Sequence, residues 1–172
     1  MFLYYPKITK RNIQLSLIYC PYFYFPVKNL ALNQSVSSSS LGPDGKHEYV
    51  VDGIYSPENG CEGASFYSKE GPSHWLRIDF GGWKNVGFVE VHNRNKPGRL
   101  DISRRLSNTM FYVYGESPTE NRQLCAEIGD GGFYVFYLPC KKYLYGKGLE
   151  VFQPITGSKR YLNLCEVIVL GY

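Results

Sequence analysis

Short apolar runs that alternate with polar residues, punctuated by Gly, Pro and Asn, predict an all-β fold, an antiparallel sandwich or barrel. Tyr (16), Phe (10) and Gly (18) are abundant and Met occurs twice, which favours pleated over helical backbone. No long helical stripe and no internal repeat interrupts that pattern. At 172 residues, 44% hydrophobic and 20% charged, the chain is long enough for one globular domain with a core of its own and short for two.

Residues 1–28 stand apart. Lys7, Lys10 and Arg11 precede an apolar stretch over 13–25, the order of a signal sequence, yet Pro21 lies inside it and no small-residue cleavage site follows. The stretch is short and polar for a membrane span. It reads as an imperfect signal sequence ahead of a domain over 29–172.

Residues 29–36, NLALNQSV, read as a first strand that gives way to a polar turn at the serines 37–40. Asn33-Gln34-Ser35 fits the N-glycosylation acceptor, which has meaning only in a secreted chain. Residues 47–52 predict one helical turn before Gly53. The run over 52–63, DGIYSPENGCEG, is dense in turn formers and carries Asp52, Glu58 and Asn59. It lacks the alternating acids of an EF-hand, so a calcium ion held there needs ligands from elsewhere in the chain.

In HWLRIDFGG, Leu76, Ile78 and Phe80 face one way and Arg77 and Asp79 the other, a half-buried strand. Further strands are expected over 86–92, 110–114, 133–138, 148–152 and 162–170. Between the first and second of these runs lies a long loop over 91–106, VHNRNKPGRLDISRRL. Arg94, Lys96, Arg99, Arg104 and Arg105 oppose one acid there, Asp101, so the loop carries five minus one, +4, which equals the formal net charge of the whole chain. The positive field is therefore local. It is either a solvated surface or a place where charge grips a ligand, and binding groups commonly sit on loops held by rigid strands.

One basic loop and a pI near 8.7 are a narrow footprint for nucleic acid, which calls for a broad basic face with interleaved aromatics. The five cysteines, at 20, 61, 125, 140 and 165, form no C-x-x-C pair and no His stands at zinc-ligand spacing. Either four of them pair in an oxidising compartment, leaving Cys20 odd, or all five are buried thiols. No nucleophile motif, carboxylate pair or metal-binding His cluster marks an enzyme.

Taken together, Asn29-Leu-Ala-Leu, the serines 37–40, Val51-Asp52-Gly53, HWLRIDFG over 74–81, Val91-His-Asn-Arg94, Arg105-Leu106 and the closing LNLCEVIVLG over 162–171 resemble an F-type lectin domain. This is the fucolectin and tachylectin family, related to the discoidin domains. The resemblance covers about residues 29–172, and WLRIDFG over 75–81 and the closing LNLCEVIVLG are specific in combination. It implies a discoidin-like β-sandwich jelly roll. It also implies bridges Cys61 to Cys165 and Cys125 to Cys140, the second closing a local hairpin. A structural calcium would be held by Asp52 and Glu166 with backbone oxygens near Tyr49, Ile54, Gly60 and Cys165.

The same resemblance implies a fucose site made of one His and two Arg, and two alignments are open. In the first, His74 is followed after 24 residues by Arg99-Leu-Asp101, with Arg105 one position early. In the second, Arg94 and Arg105 are the sugar-facing pair and the loop between them has grown. The His of that alignment belongs near residues 63–67, where the chain has none, and Phe66 or Tyr67 is then a candidate to pack on the sugar. What is implied is a secreted, non-catalytic lectin module for fucosylated glycans. The competing reading is a protein-interaction or adhesion domain on the same fold with a decayed sugar site. Single sugar sites gain avidity by multiplication, so one domain implies a homo-oligomer or a larger assembly.

Overall fold

The structure, a computed structural model, describes residues 26–55, 61, 64–94, 98–154 and 161–172. Residues 1–25, and Cys20 with them, lie outside that description, as do Glu58, Asn59 and Gly60. The strands are β1 (Lys28–Asn29), β2 (Ser35–Ser38), β3 (Phe66–Tyr67), β4 (His74–His92), β5 (Thr109–Tyr114), β6 (Gln123–Ile128), β7 (Val135–Gln153), β8 (Asn163–Leu164) and β9 (Glu166–Gly171). The expected helical turn is a 3-10 turn over Glu48–Val50.

Two of these strands organise the rest. β4 and β7 are each 19 residues long and pair antiparallel from His74↔Gln153 to His92↔Val135. The sequence predicts two strands where each of these runs unbroken. The join in β4 is Gly81-Gly82, where Gly81 takes a φ of 69° that a side chain would resist. The ladder breaks between Asp79 and Lys84 and then resumes. On β7 the matching position is Gly146, where a Cβ would stand 2.5 Å from the Tyr114 carbonyl oxygen.

The ribbon serves both layers of a β-sandwich. Its first half of β4 carries β2 on one side, and the matching half of β7 carries β5 and then β6. Its second half carries β9, which in turn carries β1. Leu76, Ile78, Leu149, Val151, Phe111 and Val113 from one layer meet Val86, Val89, Val91, Val167 and Val169 from the other in a single buried cluster. Each such side chain contributes roughly 1.5–3 kcal/mol on leaving water. The alternation read from 74–80 is the observed one, with Leu76, Ile78 and Phe80 buried and Asp79 exposed.

Three local expectations are corrected. Ser37 and Ser38 belong to strand β2, paired with β4 from Ser35↔Asp79 to Ser38↔Leu76, so that only Ser39 and Ser40 lie beyond it and a turn also comes before it. The Asn29 side chain accepts from the Ala31 N–H at 3.0 Å and Asn33 takes φ 57°, so side-chain competition bends the chain there. Secondly, residues 91–106 are not one open loop, because Leu100–Ser103 forms a helical turn, α1, that leads into a 3-10 turn over Arg104–Leu106. Thirdly, Cys125 and Cys140 do bond, but across β6 and β7, which are not ladder partners, rather than within a hairpin. The Cys61–Cys165 bond joins the segment before β3 to the start of β9.

On the outer face of the first layer, Glu150 is 1% exposed and is gripped by Arg77 at 2.8 Å and by Arg122. Arg77 lies over Trp75 at 3.9 Å and Arg122 over Tyr112 at 4.1 Å, so both cations are also backed by π-faces. A buried carboxylate is tolerable only with such partners. Replacing Glu150 by Ala strands two cations and is expected to cost about 3 kcal/mol in chemical denaturation. Opening the bridge that spans 104 residues, by Cys61→Ala with Cys165→Ala, should cost about 4.7 kcal/mol on the chain-entropy account, and opening the 15-residue bridge about 3 kcal/mol.

Candidate functional site

Where β4 ends, Asn93 ties down the basic segment. It is fully buried, its backbone N–H donates to the Tyr134 carbonyl at 2.8 Å, and its side-chain NH₂ faces the carbonyls of Ser103 (2.7 Å), Gly131 (2.9 Å) and Phe133 (3.1 Å). Gly131 fits this crossing because a Cβ there would stand 2.5 Å from the Ser107 nitrogen. The chain after β4 is thereby folded back against the chain before β7.

That fold-back sets Arg94 next to Arg105. Both are half-buried. The Arg94 Nε is buried and meets no acceptor among the described residues. Arg105 lies 4.7 Å from the Tyr161 ring, and its Nη1 donates weakly, at 3.4 Å, to Asn163 Oδ1. Burial, and after it the charge of Arg94, lower the Arg105 pKa below the ordinary guanidinium value. Two like charges brought together with donors unspent fit an acceptor-rich ligand. Asn163 Nδ2 and Gln153 Oε1 are further buried polar atoms without partners among the described residues. Gln153 donates its amide to the Arg105 carbonyl and stands opposite His74 across the β4–β7 ladder.

Arg94 and Arg105 lie within electrostatic reach of each other, and the buried His74 stands opposite Gln153 on the ladder, with its ring against Gly71. Arg99 and Asp101 form a two-point ion pair at 2.8 Å on the rim, more than half exposed on each side. Each partner holds the other charged: the hydrogen bond to Asp101 raises the Arg99 pKa and the bond from Arg99 lowers that of Asp101. Two of the five Arg99 donors are engaged by the Asp101 carboxylate. Phe66 is fully buried in the core and Tyr67 bonds Asp44 through its hydroxyl at 3.2 Å, so neither ring is free to pack on a ligand.

Tyr161, Asn163, Gln153 and Asn93 were not among the residues read as site-forming. The signal for Asn163 is its place in the closing LNLCEVIVLG, where a polar residue interrupts an apolar run; the others carry no local signal.

A second polar locus lies by the Cys61–Cys165 bond. Glu166 is fully buried; its Oε1 accepts from the Gly53 N–H at 3.3 Å, and its Oε2 has no partner among the described residues. Burial first, and the nearby Asp52 charge second, push its pKa up to about 8. Asp52 in turn accepts from the Ile54 N–H at 2.8 Å. Among the described residues no three His, Cys, Asp or Glu side chains cluster, so a cation here must draw on backbone oxygens besides these two acids. An orphaned buried carboxylate oxygen beside a second carboxylate is a donor set that fits a hard divalent cation. Tyr49 lies in the 3-10 turn before Asp52 and Cys165 adjoins Glu166, so their carbonyls belong to the same locality. Ile54 is 71% exposed at its edge.

No protein-family model matches the sequence, and no relative is found among curated proteins. Solved structures do match. A fucose-binding module of Streptococcus pneumoniae is 25% identical, with 84% of this chain and 98% of that one covered and a TM-score of 0.68. A fucolectin from the serum of the striped bass, Morone saxatilis, is 21% identical over 86% of this chain and 50% of that chain, with a TM-score of 0.72. The lectin domain of lectinolysin, solved with Lewis B antigen, is 22% identical over 83% of this chain and 95% of that chain, with a TM-score of 0.68. The chain has the discoidin-like β-sandwich fold of F-type lectins. Among the described residues no helix is long and apolar enough to cross a membrane.

Two outcomes follow from this geometry. Asn93→Leu leaves three carbonyls without their donor and is expected to destabilise the domain by about 2 kcal/mol or more, read by denaturant unfolding. The raised Glu166 pKa favours its protonated form in the fold. In chelator, stability should therefore be full below pH 4.5 and decline as pH rises towards about 8. Calorimetry of Glu166→Gln should show that decline removed.

Proposed function

We propose that this chain is a secreted carbohydrate-binding module, without catalytic activity, that holds fucose or a related deoxysugar between Arg94 and Arg105. The observation that carries the reading is the pair of half-buried guanidinium groups within electrostatic reach of each other, Arg94 with its buried Nε unpartnered among the described residues. A neutral sugar offers hydroxyls and a ring oxygen, all acceptors, and a guanidinium can donate to two such oxygens at once. Asn163 and Gln153 supply further polar atoms, and Tyr161 supplies an aromatic face beside Arg105. His74 helps to shape the cleft through Gln153. Fucose-binding modules and a Lewis B-bound lectin domain among the structural neighbours support the substrate class.

Calcium is part of the proposal. Asp52 and Glu166 would hold it, with backbone oxygens near Tyr49, Ile54, Gly60 and Cys165, and its charge would neutralise the two acids and pin the segment after the 3-10 turn to β9. Two disulfides and the exposed acceptor Asn33 support an oxidising, extracellular setting.

A calorimetric titration of fucose in calcium tests the sugar site. Arg94→Ala and Arg105→Ala should each weaken binding by about tenfold or more, since a charge-assisted hydrogen bond contributes roughly 1.5–3 kcal/mol. A blank on a broad glycan array by folded protein would sink the reading and leave the protein-interaction domain in its place. For calcium, addition of the ion to chelated protein should raise Tm, and Asp52→Asn should abolish the rise.

A further inference from the structure

We propose that the pole of the sandwich opposite the arginine cleft carries a second binding site, for an acidic glycan bearing sulfate or carboxylate groups. Both ends of β4 reach the cleft: His74 stands opposite Gln153, which bonds Arg105, and His92 leads through Asn93 into Arg94. The glycine corner at Gly81-Gly82 lies midway, and seven residues of strand separate it from His74, roughly 23 Å. What the corner presents is a cluster of aromatic rings, with Lys147 over one of them.

Trp83, Tyr143 and Tyr145 are 41%, 57% and 55% exposed. They are not loose. Trp83 and Tyr145 stack at 4.9 Å with 20° between their planes, and Tyr143 packs beside Tyr172 at 5.4 Å. Two of the rings are bedded on glycine. A Cβ at Gly87 would come within 2.6 Å of the Tyr143 ring, and one at Gly115 within 3.1 Å of the Trp83 ring. The absence of side chains at these two positions lets the rings lie against the backbone while much of their surface stays open. Single exposed aromatics are ordinary, whereas a grouped and seated set marks an interaction surface.

The charge around the rings selects the partner. Lys84 follows Trp83 in β4 with its Nζ beside Gly82, and Lys141 and Lys142, both exposed, precede Tyr143 in β7. No carboxylate pairs with these three among the described residues, whereas Lys147 is paired with Glu116 at 2.7 Å and reaches over Trp83 at 5.8 Å. The apolar faces of pyranose rings stack on aromatic side chains, and ammonium groups hold sulfate or carboxylate. A chain of acidic sugars supplies both at once. A single-stranded nucleic acid shares that chemistry, but disulfide bonds place the domain in an oxidising, extracellular setting.

The experiment is a calorimetric titration of the full chain with a heparin-derived oligosaccharide, with neutral dextran and phosphatidylserine vesicles alongside. Binding to the sulfated sugar alone is expected, weakening by about tenfold or more as salt rises from roughly 0.05 to 0.5 M. Trp83→Ala and Tyr145→Ala should each weaken it by about tenfold, and Lys141→Glu with Lys142→Glu, a surface change that leaves the core intact, should abolish it. Arg94→Ala with Arg105→Ala should change nothing, which separates this site from the fucose cleft. No binding of the sulfated sugar, or vesicles alone binding, overturns the proposal. Loss of binding in the double arginine variant, or full retention in the ring or lysine variants, overturns it equally.

Discussion

The β4–β7 ladder is the constraint on which the rest depends. One ribbon of two 19-residue strands lies in both layers of the sandwich, so a single register decides which side chains meet in the core. A slip of one residue would turn Leu76 and Ile78 to solvent and bring Arg77 and Asp79 inside. Because the ribbon starts and ends beside Arg94 and Arg105, the same register also positions the cleft. Its glycine corner faces the other way and defines the second pole.

Buried polar groups divide into two kinds in this molecule. Glu150 is satisfied from within by two arginines stacked on aromatic rings, and the Asn93 NH₂ by three carbonyls while its Oδ1 has no partner among the described residues. Both hold elements together. Arg94 Nε, Asn163 Nδ2, Gln153 Oε1 and Glu166 Oε2 are buried without partners among the described residues, and they gather in two places. Unmet donors and acceptors are costly inside a protein, and these four lie beside the arginine pair and beside Asp52.

Like charges in the cleft carry a further consequence. Arg94 and Arg105 repel, and the β4–β7 ladder and the Asn93 amide together hold them in place. A ligand whose oxygens bridge the two relieves that repulsion, so binding and the stability of the fold-back segment are coupled. Arg99 and Asp101 on the rim have already neutralised one another and lack that incentive.

Much was determined by local sequence. Alternation over 74–80 placed Leu76, Ile78 and Phe80 in the core, because period-two patterning is a property of the strand itself. The resemblance located both disulfides and the Asp52 and Glu166 pair. Local sequence misplaced the first turn, since serines on a strand edge look like serines in a loop. It split β4 and β7, since a glycine that bends a ladder reads the same as one that ends it. That Arg94 and Arg105 lie within electrostatic reach of each other belonged to the tertiary structure alone. Arg94 and Arg105 are eleven positions apart in the chain, and they meet only because Asn93 gathers carbonyls from Ser103, Gly131 and Phe133, ten to forty residues distant. Contacts of that range leave no period in a sequence, and for the same reason nothing in the string joined Trp83 to Tyr145.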